Sequence, residues 1–291
     1  MARDVAAAYP EAKAVFDEAA RRLGFDLARV CFEGPEDLLN TTRMSQPGIL
    51  ATSLAILAVL KERKGFPEPQ ATAGLSLGEY TALTVAGAME PGDALELVHL
   101  RGMLMEECCR KHPGGMVTFL GMDEAQVNEI CREASAAGAV RAANLNSPGQ
   151  IVISGEAKAL EAATALAKQR GLKRAIPLKV EGAFHSPLMV EAGEGLAKRL
   201  RDVRITAPKC LVVTNVTGEP VRTPEEIRDA LTRQVSSAVR WEACMRRLIA
   251  EGFRTFYEIG PGKVLAGLAK RIDPAVEVIS IGDCASLEAL P

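Results

Sequence analysis

The sequence predicts an α/β protein that carries a small inserted domain. Helical and extended patterns alternate along the 291 residues, as is typical of α/β folds. Between Gly115 and Leu178 the predicted order is strand, helix, strand, strand, helix, strand, which is that of the ferredoxin-like split motif. We therefore expect an α/β core formed by residues 1–113 and 179–291, with a ferredoxin-like insert at residues 114–178.

The first half of the chain contains a strand, a sharp turn and a helix in succession. Ala2–Leu23 has an amphipathic helical pattern that ends at a glycine, and a second helix is expected from near Pro47 to Lys64, before a Gly- and Pro-rich break. Gln70–Leu75 is predicted as a short strand, and Glu79–Ala86 has helical composition after a glycine-containing turn. A strand that turns sharply into a helix can present a side chain at the edge of a sheet.

Later elements follow from the same periodicities. In the insert they are the strand Met116–Leu120, helix Asp123–Ala136, strand Val140–Leu145, turn Asn146–Gly149, strand Gln150–Ser154, helix Ala157–Arg170 and strand Arg174–Leu178. After it come the helix Pro187–Arg201, strand Cys210–Thr214, helices Pro224–Val235 and Trp241–Glu251, strand Thr255–Ile259, a helix from Lys263 and the strand Val276–Ile281.

Composition and charge exclude several classes of protein. A chain of this length buries roughly 75% of its unfolded surface, so it needs no disulfide or metal to fold. A net charge of −2 lacks the surplus of Lys and Arg that nucleic-acid phosphates require, so we expect no nucleic-acid partner. The seven cysteines contain no C-x-x-C pair, which argues against a zinc site or a disulfide framework and favours a reducing cytoplasm.

No membrane or export segment is expected. The most apolar segment, Ile49–Leu60, is shorter than the ~20 residues that cross a bilayer. Met1–Asp4 does not begin a signal peptide. A cytoplasmic protein without a membrane partner is therefore predicted.

Gly74-Leu75-Ser76-Leu77-Gly78 fits the nucleophile-elbow pattern G-x-S-x-G. Flanking glycines permit a tight turn from which the Ser76 hydroxyl stands clear of the backbone. The following helix N-terminus offers amide groups to a developing oxyanion. The alternative is an ordinary glycine turn, but the position between a strand and a helix favours a nucleophile.

A serine nucleophile is usually deprotonated by a histidine, and the chain has three. His99 lies in a helical stretch and His112 precedes a proline, so both are interpreted as structural. His185 lies in an irregular stretch just before a helix, where functional residues are common. We therefore expect His185 to be the base.

Arg101 is the candidate for gripping a substrate carboxylate. On the predicted helix Ala94–Cys108 it lies three or four residues from several apolar positions, and so points inward or along the edge. A buried guanidinium can pair with a carboxylate through two parallel hydrogen bonds. The alternative is that only the stem of Arg101 covers core surface.

Taken together, these motifs resemble the malonyl-CoA:acyl carrier protein transacylases and the related acyltransferase domains of fatty acid and polyketide synthases. The resemblance covers nearly the whole chain and implies a hydrolase-like α/β core with a ferredoxin-like insert. It rests on Gly74–Tyr80, Leu100-Arg101-Gly102, Asn144–Gln150, Ala183–Met189, Arg233-Gln234 before Val239-Arg240-Trp241, and Glu258–Leu265.

The resemblance implies a role for each site residue. Ser76 would take malonyl from coenzyme A as an ester, and His185 would act as base and then as acid. The main-chain carbonyl of Gln234 would orient the histidine in place of the Asp of a full triad, and the Leu77 amide would be one oxyanion donor.

Two further residues and the partners follow from the same resemblance. Arg101 would pair with the malonyl carboxylate, and Phe184 would crowd an α-methyl group and so favour malonyl. The substrates would be malonyl-CoA and acyl carrier protein, in fatty acid or polyketide synthesis. No cofactor or metal is implied, and a monomer is expected.

Two departures from the family pattern qualify this hypothesis. Leu75 stands where many members have His, which we interpret as subgroup variation. Family members also begin with a strand and a turn of the form F-P-G-Q-G-S-Q that completes the oxyanion hole, whereas this sequence begins at the helix that follows. Either the start was placed at an internal Met, which the intact later motifs favour, or the protein is a degraded copy.

Three functional hypotheses therefore stand. The first is malonyl transfer to acyl carrier protein. The second is a serine hydrolase or thioesterase with the same elbow and water as the acceptor. The third is a truncated homologue of low or no activity.

Overall fold

The computed structural model describes residues 1–63 and 65–290, and the predicted helix end at Lys64 lies outside them. Its helices are α1 (Arg3–Ala8), α2 (Pro10–Leu23), α3 (Leu27–Glu33), α4 (Glu36–Leu39), α5 (Thr42–Glu62), α6 (Gly78–Val85), α7 (Pro91–Lys111), α8 (Glu124–Ala134), α9 (Ala157–Gln169), α10 (Val190–Leu200), α11 (Pro224–Gln234), α12 (Trp241–Ala250), α13 (Val264–Ile272) and α14 (Cys284–Glu288). Its strands are β1 (Ala71–Thr72), β2 (Gly115–Leu120), β3 (Val140–Ser147), β4 (Gln150–Gly155), β5 (Arg174–Pro177), β6 (Leu211–Val213), β7 (Pro220–Val221), β8 (Thr255–Ile259) and β9 (Glu277–Ile281).

The largest apolar core surrounds α5, which packs against α2, α3 and α7. By length and composition α5 could span a membrane, with a mean hydropathy of 1.3 over its most apolar window, but 72% of that window is buried inside the protein. Its apolar surface is therefore used for packing. The helix begins one turn before the predicted start near Pro47, and Pro47 lies inside it.

The parallel strands of the core form two separate sheets in the described residues. In one, β1 pairs in parallel with β6 and β6 pairs with β7. In the other, β8 pairs in parallel with β9. Outside these pairs no partner strand contacts β1 or β8 within the described part of the chain, and Tyr257 on β8 is 37% exposed.

The predicted insert is a four-stranded antiparallel sheet with the order β3-β4-β2-β5. Helices α8 and α9 pack together on it and share a separate apolar core that includes Phe119, Ile130 and Ala163. The expected strand–helix–strand–strand–helix–strand order is confirmed. The predicted turn Asn146–Gly149 is shorter than expected, because β3 continues through two irregularities to Ser147 and the reversal is completed at Gly149, whose φ is 69°.

Two backbone hydrogen bonds join the insert to the core. The amide of Leu145 on β3 donates to the carbonyl of Val239, and the Val239 amide donates to the carbonyl of Ala143, both across 2.8 Å. Val239 follows α11 by five residues. The insert is thus paired, edge to edge, with a core segment that begins at the end of α11.

Several short helices differ from the sequence prediction. The expected helix Ala2–Leu23 is divided at Tyr9 into α1 and α2, because Pro10 lacks an amide hydrogen and is favoured at the first position of a new helix. Helices α3, α4 and α14 have four to seven residues, which is too short for a helical period to be visible in the sequence.

Candidate active site

Ser76 lies on a tight turn between β1 and α6. It has φ = 51°, a left-handed conformation that is strained for a residue with a Cβ. Gly74 is required here, since an added Cβ would lie 2.0 Å from the carbonyl carbon and oxygen of Gly78. The predicted strand–turn–helix elbow is therefore present, and its backbone is strained at the serine.

The elbow places the Ser76 hydroxyl against His185. The distance from Oγ to His185 Nε2 is 2.8 Å, and Nδ1 lies 2.9 Å from the main-chain oxygen of Gln234. A carbonyl oxygen can only accept a hydrogen bond, so Nδ1 carries the proton and Nε2 is left as the acceptor for the serine. This is the tautomer that a general base requires.

Burial keeps the imidazole neutral. His185 is only 4% exposed. Burial and, after it, the positive charge of Arg101 lower its pKa to about 4. At neutral pH the ring therefore has a free lone pair on Nε2.

Arg101 on α7 completes this cluster. It is 1% exposed, and its guanidinium is buried together with its stem, contrary to the alternative in which only the stem covers the core. Nη2 donates to Ser76 Oγ (2.9 Å) and to Gln234 Oε1 (3.1 Å), while Nη1 donates to Gln46 Oε1 (2.5 Å). The guanidinium also lies 5.8 Å from the centre of the Tyr80 ring.

The positive charge of Arg101 is not balanced by a carboxylate in contact with it. None of the ion pairs found among residues 1–63 and 65–290 includes Arg101. A buried cation held by neutral side chains keeps a strong attraction for an anion. The arrangement can therefore bind a carboxylate next to the serine.

Three contacts of the site were not predicted from the sequence. Gln46 on α5 holds Arg101. Asn215, after β6, holds the backbone of the elbow. Glu79 is fully buried, and its Oε2 accepts from the amide of Asn215 and from the side chain of Gln234. Burial raises the pKa of Glu79 to about 7.

The other predicted residues lie as follows. Leu77 directly precedes α6, and its amide has no hydrogen-bond acceptor in the described part of the chain, so it is available to an oxyanion beside Ser76. Phe184 is half-buried against a small apolar cluster of Met116, Ala143 and Val152, where the insert meets the core.

The two remaining histidines contact other groups. His99 Nδ1 lies 3.2 Å from the Arg43 carbonyl, and His112 Nε2 lies 3.3 Å from Glu191. Both side chains are half-buried and lie outside the cluster formed by Ser76, His185 and Arg101. No cluster of three or more His, Cys, Asp or Glu side chains suited to a metal ion occurs among the residues described.

The fold and the geometry together define a class. A serine on a strained strand–turn–helix elbow, in contact with a neutral buried histidine, is the arrangement of enzymes that transfer acyl groups through a serine ester. The family profile described as "Acyl transferase domain" matches residues 1–284. The chain belongs to this acyl transferase family.

Relatives of known function and structure agree with this assignment. The chain is 41% identical over 290 residues to the malonyl CoA-acyl carrier protein transacylase of Haemophilus influenzae, covering 100% of this chain and 93% of that protein. The structure of an acyl carrier protein S-malonyltransferase from Vibrio cholerae superposes with a TM-score of 0.95 at 40% identity, over 99% of this chain and 94% of the other.

A third relative was solved with its partner. It is a malonyl-transacylase in complex with a type II polyketide synthase acyl-carrier protein, with a TM-score of 0.94, 41% identity, and coverage of 98% of this chain and 92% of that chain. The α/β hydrolase-like core with a ferredoxin-like subdomain is thus the fold of this chain and of its relatives.

Proposed function

We propose that this chain transfers malonyl from malonyl-CoA to the phosphopantetheine thiol of acyl carrier protein, through a malonyl ester on Ser76. The observation that carries the proposal is the position of Arg101. Its buried guanidinium lies 2.9 Å from Ser76 Oγ, so a substrate that carries both a thioester and a carboxylate can reach the two groups at once. The activities of the relatives, at about 40% identity over nearly the full chain, support the same reaction.

In the first half-reaction His185 Nε2 takes the proton from Ser76 Oγ. The oxygen then attacks the thioester carbonyl carbon of malonyl-CoA, and the amide of Leu77 stabilises the oxyanion. The carbon–sulfur bond breaks, and the proton on Nε2 passes to the departing coenzyme A thiolate. Gln234 O keeps the ring oriented through Nδ1 during both transfers.

The second half-reaction reverses these steps with a new thiol. The phosphopantetheine thiol gives its proton to His185 Nε2 and its sulfur attacks the ester carbonyl. The bond from that carbonyl to Ser76 Oγ breaks, and the proton returns to the serine. Hydrolysis of the malonyl ester on Ser76 is the competing reaction. Transfer to the carrier protein prevails only if water is kept from the ester.

Specificity for malonyl is assigned to Arg101 and Phe184. Arg101 binds the malonyl carboxylate with charge-assisted hydrogen bonds. Phe184, adjacent to His185, crowds an α-methyl group and so disfavours methylmalonyl. The half-buried position of Phe184 at the junction of insert and core supports this role.

We infer the same division of the chain as the sequence indicated, with the core at residues 1–113 and 179–291 and the insert at 114–178. The separate apolar core of the insert supports it. We also infer a monomer that needs no cofactor and acts in the cytoplasm. The presence of every proposed site residue in one chain supports the monomer. The seven free cysteines support a reducing compartment such as the cytoplasm.

The test is intact-protein mass spectrometry after incubation with malonyl-CoA. We expect the mass of one malonyl group on the peptide that contains Ser76, and its loss when holo acyl carrier protein is added. Ser76→Ala should carry no adduct. Ser154→Ala, which removes a buried hydroxyl from the insert, is the matched control and should be acylated normally.

Two results would contradict the proposal. An unmodified Ser76 in folded protein would exclude the ester intermediate. Steady release of free malonate without carrier protein, at a rate equal to transfer, would instead indicate a hydrolase.

A further inference from the structure

Asn215 is a fully buried residue at the edge of the core sheet from which the elbow projects. Strand β1 pairs in parallel with β6, with Thr72 opposite Val212. Both strands therefore end at the same edge, and Asn215, three residues beyond Val212, is level with the elbow. Its exposure is 0%.

The side chain of Asn215 holds the elbow backbone at two points. Its Oδ1 accepts from the amide of Ser76 (2.6 Å), and its Nδ2 donates to the carbonyl of Gly74 (2.7 Å). Both bonds are made to main-chain atoms, one on each side of Leu75. They therefore fix the orientation of the Gly74–Leu75 and Leu75–Ser76 peptide groups.

These bonds act directly on the strained dihedral angle. The left-handed backbone of Ser76 is strained relative to ordinary conformations. Relaxation of φ would turn the Ser76 amide away from Asn215 Oδ1 and leave a buried donor and acceptor unpaired, which is costly. The amide side chain therefore opposes the movement that would withdraw the Ser76 hydroxyl from the imidazole.

Asn215 is also connected to the residue that orients the imidazole. One oxygen of Glu79, Oε2, accepts from the main-chain amide of Asn215 (3.0 Å) and from the side-chain Nε2 of Gln234 (2.8 Å). The carbonyl of Gln234 in turn binds His185 Nδ1. The supports of the nucleophile and of the base therefore meet at a single carboxylate oxygen.

The neighbouring turn does not depend on this side chain. Thr217 Oγ1 bonds to Thr214 Oγ1 and accepts from the amide of Glu219, and the Thr214 amide binds the Glu219 carbonyl. The turn after β6 is thus stabilised by its own residues. The side-chain amide of Asn215 is therefore available to bind the elbow.

We propose that Asn215 is a positioning residue that holds Ser76 in its reactive backbone conformation and couples this conformation, through Glu79, to the orientation of His185. The proposal deepens the proposed function and rests on it for the substrate. It does not rest on it for the reactivity of Ser76, which can be measured with a probe that needs neither malonyl nor coenzyme A.

The experiment compares Asn215→Ala, Asn215→Asp and Thr217→Ala with the wild type. The rate constant for acylation of Ser76 by malonyl-CoA is measured in single turnover, and the burst amplitude counts the competent sites. The rate of covalent labelling by a fluorophosphonate is measured in parallel. Thr217→Ala is the matched control, since Thr217 is exposed and its side-chain hydrogen bonds are made within the same turn, to Thr214 and Glu219.

We expect Asn215→Ala to lower the rate constant per competent site by about 10²-fold for both reagents, because misplacement of a nucleophile by about 1 Å has an effect of this size. The KM for malonyl-CoA should change by less than about threefold, since Arg101 is retained. Asn215→Asp keeps an acceptor for the Ser76 amide but places a carboxylate oxygen against the Gly74 carbonyl, so its rate constant should fall as well. Thr217→Ala should stay within about twofold of the wild type.

The proposal is overturned if Asn215→Ala keeps the wild-type rate constant per site and loses only burst amplitude, which is the result of a purely structural role. A rise in KM at unchanged rate would overturn it as well. If Asn215→Ala does not fold, an unchanged rate constant in folded Asn215→Asp overturns it. Failure of the proposed function is distinct: the wild type would then react with the fluorophosphonate but not with malonyl-CoA.

Discussion

Arg101 donates a hydrogen bond to the hydroxyl of Ser76 across 2.9 Å, from a helix that is separate from the elbow. The side chain that would select the acyl group thus contacts the atom that would attack it. Removing Arg101 should therefore affect both the choice of substrate and the position of the nucleophile, and the two effects can be separated by comparing acyl groups.

Arg101→Ala should lower kcat/KM for malonyl transfer by about 10²–10⁴-fold, since a charged hydrogen bond contributes about 1.5–3 kcal/mol and the carboxylate would accept two. Transfer of acetyl, which has no carboxylate, should fall far less. The measurement is kcat/KM for malonyl-CoA and acetyl-CoA, with Arg110→Ala, an exposed arginine on the same helix, as control. Equal losses for the two acyl groups would remove the carboxylate-binding role.

His185 should make stability depend on pH in weakly acidic solution. Its pKa is lowered from 6.5 to about 4 in the folded protein, so between these values the unfolded chain binds a proton that the folded chain does not. The free energy of unfolding of the wild type, relative to His185→Asn, should therefore fall by up to about 3 kcal/mol as the pH drops from 6.5 to 4. Urea titrations of both proteins across this range measure the difference, and a constant difference would show that burial does not depress the pKa.

Glu79 should make the free energy of unfolding depend on pH in the opposite direction. Its pKa is raised from 4.5 to about 7, so the folded state is penalised as the carboxyl ionises. Glu79→Gln should gain stability relative to the wild type by up to about 3 kcal/mol as the pH rises from 4.5 to beyond 7. Denaturant midpoints at several pH values test this, and a relative stability that stays level or falls over the same range would count against a buried neutral carboxyl.

Gly102, next to Arg101, tests the close approach of α7 to the start of α5. A Cβ at this position would lie 2.6 Å from Arg43 Cα and 2.8 Å from the Thr42 carbonyl oxygen. Gly102→Ala should destabilise the protein by about 1–3 kcal/mol through overpacking. Gly267, on α13, has no heavy atom within 4 Å of an added Cβ, so Gly267→Ala should stabilise by about 0.4–1 kcal/mol. The midpoints of thermal unfolding of the two variants measure these changes. Shifts of the same sign relative to the wild type would refute the packing argument.

The residues that the sequence identified are those that lie in local motifs. Ser76 lies in a glycine-flanked turn and His185 in an irregular stretch before a helix, and each pattern is visible over a few residues. Gln46 and Asn215 could not be found in this way. Each contacts the site from a distant part of the chain, and only the packing of α5 against α7 and the register of β1 with β6 bring them there.

The same limit applied to the fold: elements with a regular local pattern were predicted, and pairings between distant segments were not. The insert was recovered because its strands and helices are long and regular, whereas β1 has only two residues and its parallel partner β6 lies far along the chain. Sequence periodicity therefore located the elbow without showing which strand supports it.

The pairing of β3 with Val239 has a mechanical consequence. The insert is joined to the core by more than its two chain connections, because β3 is also hydrogen-bonded to Val239 and Arg141 of β3 donates to the Ser236 carbonyl. Both core residues lie within five residues of Gln234, whose main-chain carbonyl accepts from His185. A displacement of β3 relative to the core would therefore also displace the segment that follows the carbonyl bonded to the imidazole.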